Sequence, residues 1–351
     1  MLSPQERSRY SKQTILPEVG VAGQEKLQAA RVLVIGAGGL GCPVLQYLAA
    51  AGVGTIGIAD GDTIEISNLQ RQVLYTQEEI GQSKAAVAAQ KLTSLNPHIS
   101  IRIHQFRIGH TNALDVLRDY DIIVDGSDNF ATRYLVNDAC VMLDKPMVSG
   151  AIYKYEGQVS VFNYLGGPTY RCLFPEPPGA DESPNCADIG VIATLPGIIG
   201  TIQANEVIKM ITGIGEVLSG KLLVMDTLTM NTHIFHFRLN PANKNIQSLQ
   251  GAEEHCFVVT SIDYEALKSL MLRDAITLVD VREPEEHESG NIGGINLPVS
   301  RLANSYHLLD PNHTIVLYCA SGVRSNHSAK LLLQNGFTKV LNLKNGINGL
   351  V

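Results

Sequence analysis

Two groups of residues have the types and the spacing to do chemistry. Near the start, the apolar run Val32-Leu33-Val34-Ile35 leads into Gly36-Ala37-Gly38-Gly39-Leu40-Gly41, followed by Asp60 and by Ser67-Asn68-Leu69-Gln70-Arg71-Gln72. Near the end, Ile315-Val316-Leu317-Tyr318 leads into Cys319-Ala320-Ser321-Gly322-Val323-Arg324. A glycine loop between a strand and a helix lets backbone N–H groups approach a phosphate. A cysteine in a short loop of N–H groups at a helix start is stabilised as the thiolate, its nucleophilic form.

The glycines at 36, 38, 39 and 41 fit a nicotinamide or flavin dinucleotide as well as ATP, and they also fit a plain strand–helix turn. Asp60 is expected to end the second strand, where a carboxylate meets ribose hydroxyls; alone it suits NAD and ATP equally. Asn68, Arg71 and Lys84 follow closely and favour a triphosphate, because cations stabilise charge on the transferring phosphoryl group and the pyrophosphate leaving group. Asp125-Gly126-Ser127-Asp128-Asn129 ends a further strand. Asp128 there suits Mg²⁺, which prefers carboxylate and phosphate oxygens. Taken singly, either Asp is also a helix cap or a solvated turn.

These groups need a scaffold, and residues 31–130 supply one. Strand-like runs at 31–35, 55–59, 99–104 and 122–124 alternate with helix-like runs at 43–51 and 84–95. That alternation predicts an α/β fold with a doubly wound, mainly parallel sheet. The proline-rich stretch 166–184 predicts a long mobile loop, and 189–210 resumes as a helix-rich segment. Residues 241–255 are polar and aperiodic, the best linker in the chain. We therefore expect one domain over 1–240, a linker over 241–261 and a small α/β domain over 262–351.

Composition narrows the class. The chain has 351 residues, 45% hydrophobic and 17% charged, enough for two buried cores. A net charge of −7 argues against nucleic-acid binding, which needs a basic face. The six cysteines, Cys42, Cys140, Cys172, Cys186, Cys256 and Cys319, lack framework spacing, and the polar start MLSPQERSRYSKQ has no apolar core of a signal peptide. A reducing cytoplasm is expected. The uncharged run 40–59 is long enough to span a membrane but is broken by glycines, Pro43 and Gln46, so no membrane segment is expected.

Over residues 9–238 the chain resembles the molybdopterin-synthase and thiamine-biosynthesis adenylyltransferases, relatives of ubiquitin-activating enzymes. The matching blocks are Arg9-Tyr10-Ser11-Lys12-Gln13, GAGGLG, Asp60 to Asp62, SNLQRQ, Gly81-Gln82-Ser83-Lys84, DGSDN with Arg133, and ATLPGIIGTIQANEVIK. The resemblance implies a homodimer that binds Mg-ATP and adenylates the C-terminal glycine of a ubiquitin-like sulfur carrier ending in Gly-Gly. By position, Asp60 meets the ribose, Asn68, Arg71 and Lys84 the phosphates, and Asp128 the magnesium. An arginine from the neighbouring subunit also reaches the phosphates in that family. Here that position is Lys12, which keeps the charge and loses the bidentate fork.

Many relatives hold a structural zinc with two Cys-x-x-Cys pairs. The corresponding stretches here are Thr169-Tyr170-Arg171-Cys172 and residues 240–245, the latter without cysteine. A closed zinc site needs four Cys or His ligands, and His233, His236 and Cys256 are poor substitutes, so no zinc is expected. Cys172 reads as an ordinary packed or loop cysteine. Cys186 falls where similar proteins have a cysteine that in some links to the carrier; the alternative is an inert loop thiol.

From residue 262 the chain resembles rhodanese-type sulfurtransferases, through Leu278-Val279-Asp280-Val281-Arg282-Glu283, residues 290–298 and CASGVRS. Asn291 stands at the usual His, and Asn345-Gly346 at the usual glycine pair. Four residues separate Cys319 from Arg324, one fewer than in phosphatase loops, which suits a terminal sulfur on Cys319. Arg324 is expected to assist the anion cradle, and the resemblance implies a persulfide donor such as a cysteine desulfurase. Two other classes stay open on the sequence: an NAD-dependent oxidoreductase, and a non-catalytic scaffold that binds the carrier.

Overall fold

The structure is a computed structural model and describes residues 1–177, 190–249, 259–273 and 276–350. The chain divides into two compact units, Met1–Gly251 and Ala252–Val351. Among the described residues no helix is long and apolar enough to cross a membrane.

The first unit is built on one sheet. Its strands are β1 (Arg31–Ile35), β2 (Thr55–Ala59), β3 (Ser100–His104), β4 (Ile122–Asp125), β5 (Met147–Tyr153), β6 (Glu156–Phe162), β7 (Lys221–Asp226) and β8 (Thr232–His236), in spatial order β3-β2-β1-β4-β5-β6-β7-β8. The first five are parallel and the last three antiparallel. Side chains of β1 alternate between the faces: Val32 and Val34 join a core with Leu45, Leu48, Ile58 and Ile199, and Leu33 and Ile35 one with Leu117, Tyr120 and Val136. A strand buried on both faces reads as the unbroken apolar run seen in the sequence.

Chain order reverses across β1 and β4, which opens a crevice at their carboxyl ends, the usual binding position in such sheets. The Gly41–Ala51 helix leaves β1 there and stops at Gly52, whose φ of +84° gives the left-handed cap. It packs against the Thr194–Thr212 helix, where Gly200 sits against Leu40 O and Pro43. The stretch expected as pure loop carries a short helix, Tyr170–Leu173, before residues 178–189, which lie outside the described residues.

The second unit is a five-stranded parallel sheet of β9 (Thr260–Ile262), β10 (Ile276–Asp280), β11 (Ile295–Asn296), β12 (Thr314–Tyr318) and β13 (Val340–Leu343), ordered β11-β10-β12-β13-β9. The central strand β12 is fully buried from Ile315 to Tyr318 and delivers Cys319 to the start of the Val323–Gln334 helix.

Candidate active sites in the two units

In the first unit the glycines permit contacts a side chain would block. A Cβ on Gly41 would lie 1.9 Å from Gly36 O, and one on Gly36, at φ +88°, 2.9 Å from Gly126 O. The loop after β1 is thereby pressed on the loop after β4. A methyl on Gly39 would sit 3.7 Å from Arg71 Cδ, and one on Gly38 3.5 Å from Gln72 Nε2. The SNLQRQ segment therefore lies directly over the glycine loop.

Asp60 is buried at the end of β2, and both carboxylate oxygens hold backbone: Ala37 N–H donates at 2.7 Å and Asp62 N–H at 2.7 Å. Burial raises its pKa, opposed by those hydrogen bonds. Asp60 thus clamps the glycine loop to the next strand end, a task the sequence did not reveal. Tyr75 acts with it, its buried hydroxyl donating to Ala37 O at 2.8 Å. Lys84 begins the Lys84–Leu95 helix, is buried, and stands 3.6 Å from Asp62, which also pairs with Arg107 at 2.8 Å. Asn68 is buried, its Oδ1 accepting from Glu65 N–H. Gln72 is buried as well, and its Oε1 has no hydrogen-bond partner among the described residues.

The two aspartates after β4 part company. Asp125 is fully buried and accepts from Ser127 N–H, from the Ser127 hydroxyl at 2.6 Å and from the Ser149 hydroxyl at 3.0 Å. Asp128 is exposed and, among the described residues, its one hydrogen bond is from Asn129 Nδ2 at 3.5 Å. Asn129 takes the helix-cap role, its side chain accepting from Thr132 N–H. Beside Asp128 a cavity of about 340 Å³ is lined by Phe130, Arg133, Gly150, Ile152 and Phe174. Arg133 is buried there, its terminal nitrogen on Ser127 O at 3.1 Å and its Nε 3.9 Å from Asp125 Oδ2. Lys12 is exposed on the Ser11–Thr14 helix, away from these contacts; neighbouring Gln13 ties that helix to Gln24 and Ala51 O.

The Thr169–Cys172 stretch and residues 240–243 meet. Cys172 Sγ accepts from Thr169 N–H at 3.4 Å and from Asn240 N–H at 3.3 Å, and lies 3.3 Å from the Thr169 hydroxyl and 3.6 Å from Asn243 Nδ2. Partial burial raises the thiol pKa, but these donors together bring it below the usual value. Cys172 is therefore a packed cysteine that also clasps the Tyr170–Leu173 helix to the Pro241–Lys244 turn. Among the described residues no three His, Cys, Asp or Glu side chains are grouped to hold a metal. Cys186 and Cys256 lie outside the described residues.

In the second unit Cys319 Sγ is buried, accepts from Gly322 N–H at 3.2 Å and Ser325 N–H at 3.5 Å, and lies 3.4 Å from the Ser325 hydroxyl. Burial pushes the thiol pKa up, yet these donors outweigh it and the net direction is down. Gly322, at φ +85°, turns its N–H inward. Gly346 lets the closing turn approach, since a Cβ there would lie 2.2 Å from Cys319 O. Arg324, expected to assist the anion cradle, has both terminal nitrogens held by Glu286 at 2.7 Å; that pairing, with a smaller contribution from Cys319, raises the Arg pKa, and Arg324 lowers the Glu pKa. Asp280, buried, is held by Arg282 and His287, and fixes the loop after β10.

Residues 10–248 match the ThiF family model and 263–351 the rhodanese-like domain model. The chain is 44% identical to the probable adenylyltransferase/sulfurtransferase MoeZ of Mycobacterium tuberculosis, over 99% of this chain and 93% of that protein. It is 51% identical to the sulfur carrier protein adenylyltransferase of Thermus thermophilus, over 68% of this chain and 89% of that one. With the adenylyltransferase and sulfurtransferase MOCS3 of Drosophila grimshawi it shares 45% identity over 81% of this chain and 63% of that one. The crystal structure of E. coli MccB with ATP superposes with a TM-score of 0.58 at 25% identity, over 66% of this chain and 72% of that one. The chain therefore belongs to the ThiF family, carries a rhodanese-like domain after it, and is an enzyme of the adenylyltransferase class.

Proposed function

We propose that the first unit joins AMP from ATP to the C-terminal glycine carboxylate of a ubiquitin-like sulfur carrier, and that Cys319 then delivers sulfur to it. The observation that carries this reading is the pairing, in one chain, of a glycine-loop crevice with a thiolate cradle at Cys319. Gly36, Gly38, Gly39 and Gly41 offer backbone N–H groups to phosphate, Asp60 stands by the ribose, and Asn68, Arg71 and Lys84 hold the triphosphate. The exposed carboxylate of Asp128 fits Mg²⁺, which with one or two carboxylates takes its remaining ligands from phosphate and water. Bound there, Mg²⁺ would neutralise phosphate charge. Asp125, with its oxygens already engaged, does not compete. The cavity beside Asp128 and Arg133 receives the carrier's tail, and positioning supplies most of the acceleration.

The chemistry balances in three steps. The carrier carboxylate attacks the α-phosphorus of ATP, and pyrophosphate leaves. The terminal sulfur of a Cys319 persulfide attacks the acyl carbon, and AMP leaves, giving an acyl disulfide. A thiolate, in our reading that of Cys186, attacks the Cys319 sulfur of that bond and releases the thiocarboxylate, leaving a Cys186–Cys319 disulfide for an external dithiol to reduce. The persulfide is supplied by a donor such as a cysteine desulfurase. Lys12 acts from the partner subunit of a homodimer, and zinc has no part.

The test measures both half-reactions in one variant. Cys319→Ala keeps carrier-dependent ATP–pyrophosphate exchange near wild type and loses thiocarboxylate formation, read as the sulfur-for-oxygen gain in carrier mass. Thiocarboxylate made at the wild-type rate by Cys319→Ala with only a persulfide donor present refutes the two-unit mechanism.

A further inference from the structure

The Ser325 hydroxyl has one proton and two acceptors. Its oxygen lies 3.4 Å from Cys319 Sγ and 2.6 Å from Asn342 Oδ1. While the proton points at Asn342, the sulfur faces an oxygen lone pair, which suits a protonated thiol and opposes a thiolate. Asn342 is 4% exposed in β13, and its amide nitrogen donates to Ser261 Oγ at 3.3 Å. Ser261 sits opposite it in β9, where the register pairs the two residues directly.

A side-chain amide has an acceptor on one side and donors on the other, so a half-turn exchanges them in nearly the same volume. After that turn the Asn342 NH₂ faces Ser325 Oγ, and Asn342 Oδ1 faces the Ser261 hydroxyl, which can donate to it. Ser325 Oγ then accepts from Asn342 and is free to donate to sulfur. All three side chains now direct a proton toward Cys319. The charged groups that bear on the loop are Arg324, on the same helix, and Glu286 of the Pro284–Glu288 helix, tied to each other; β13 and β9 bring the neutral Asn342 and Ser261.

We propose that Asn342 is a positioning residue for Cys319, turning its amide when the sulfur ionises so that the Ser325 hydroxyl donates to the anion. The assignment rests on the reading of Cys319 as the sulfur-transfer nucleophile, and a persulfide anion in the same cradle gains the same donor. It explains why a polar side chain is kept buried in a strand between apolar neighbours, Leu341 and Leu343.

The test follows alkylation of Cys319 by iodoacetamide against pH in the full chain, read by peptide mass spectrometry so that other cysteines do not interfere. A hydrogen bond to a charged acceptor corresponds to about one to two pH units. Ser325→Ala should raise the midpoint for Cys319 by roughly that much. Asn342→Asp, whose carboxylate only accepts, should hold the Ser325 proton and raise the midpoint too, and should raise it by less in the Ser325→Ala background, where only its charge still acts. If Asn342→Asp fails to fold, Asn342→Leu, which removes the competing acceptor and leaves the Ser325 proton to the sulfur, should keep the midpoint below that of Ser325→Ala. A wild-type midpoint in Ser325→Ala, equal Asn342→Asp shifts with and without Ser325, or an Asn342→Leu midpoint as high as that of Ser325→Ala overturns the proposal. Alkylation needs no sulfur donor, so the two readings fail separately. A Cys319 that takes up no persulfide sulfur yet shows these shifts removes the sulfur-transfer reading and leaves the role of Asn342 standing.

Discussion

Beside the Asp60 clamp, the glycine loop is held by the Tyr75 hydroxyl, and removing that hydroxyl asks how much nucleotide binding depends on a preformed loop. Tyr75→Phe keeps the ring in the core and deletes the donor at 2.8 Å from Ala37 O. That carbonyl then has only the weak Cys42 thiol at 3.5 Å as a side-chain donor. A lost neutral bond with a partly orphaned acceptor costs about 1–2 kcal/mol. For a unit of this size that lowers the thermal midpoint by roughly 2–8 °C. If ATP requires the tethered loop, the same energy weakens binding by about 5- to 30-fold at most. Thermal unfolding and ATP titration on the same preparation read the two effects. A lowered midpoint with unchanged ATP affinity would refute the claim that the tether prepares the phosphate site.

Three other outcomes are expected. Subunits carrying Lys12→Ala, mixed with subunits carrying Asp128→Ala, should regain pyrophosphate exchange at one of two sites per heterodimer; inactive mixtures with proven subunit exchange count against action in trans. Purified protein should contain far less than one zinc per chain and keep its thermal midpoint in a strong chelator, whereas Cys172→Ala should lower that midpoint at a cost of about 1 kcal/mol. Burial raises the Asp280 pKa, but the bonds from Arg282 and His287 outweigh it and hold it below the usual carboxylate value. Its stabilisation is therefore full above about pH 4, the pKa of an unfolded Asp, and lost as pH falls through the lower folded value; Asp280→Asn should flatten the acid limb of second-unit stability.

Strands β1, β2 and β4 were legible because buried strands write themselves as short apolar runs ending at glycine or Asp. The antiparallel half was not: β8 is exposed along its whole length and has no apolar signature. The same division runs through the sites. Gly36 to Gly41, Asp60 and Cys319 stand at strand ends, where local pattern announces them. The Tyr75 tether spans 38 residues, the Glu286 grip on Arg324 also 38, and Ser325 meets Asn342 across 17. No spacing rule brings such pairs together. The pairing of Arg324 with Glu286 was not foreseen for this reason: Arg324 stands close in sequence to Cys319, and its carboxylate partner lies far from it.

The Cys172 clasp has a consequence for how this enzyme meets its surroundings. Where metal closes such a junction, folding is tied to the cell's supply of that metal, and a chelator can open it. Here the sulfur is grasped by amide and hydroxyl donors from Thr169, Asn240 and Asn243, groups that every copy carries from synthesis. On our proposal that zinc has no part, the vulnerability moves from scarcity to damage. A partly accessible thiol shifted toward its anion is open to oxidants and alkylating agents, and adding oxygen or carbon to it would part the Pro241–Lys244 turn from the body of the first unit.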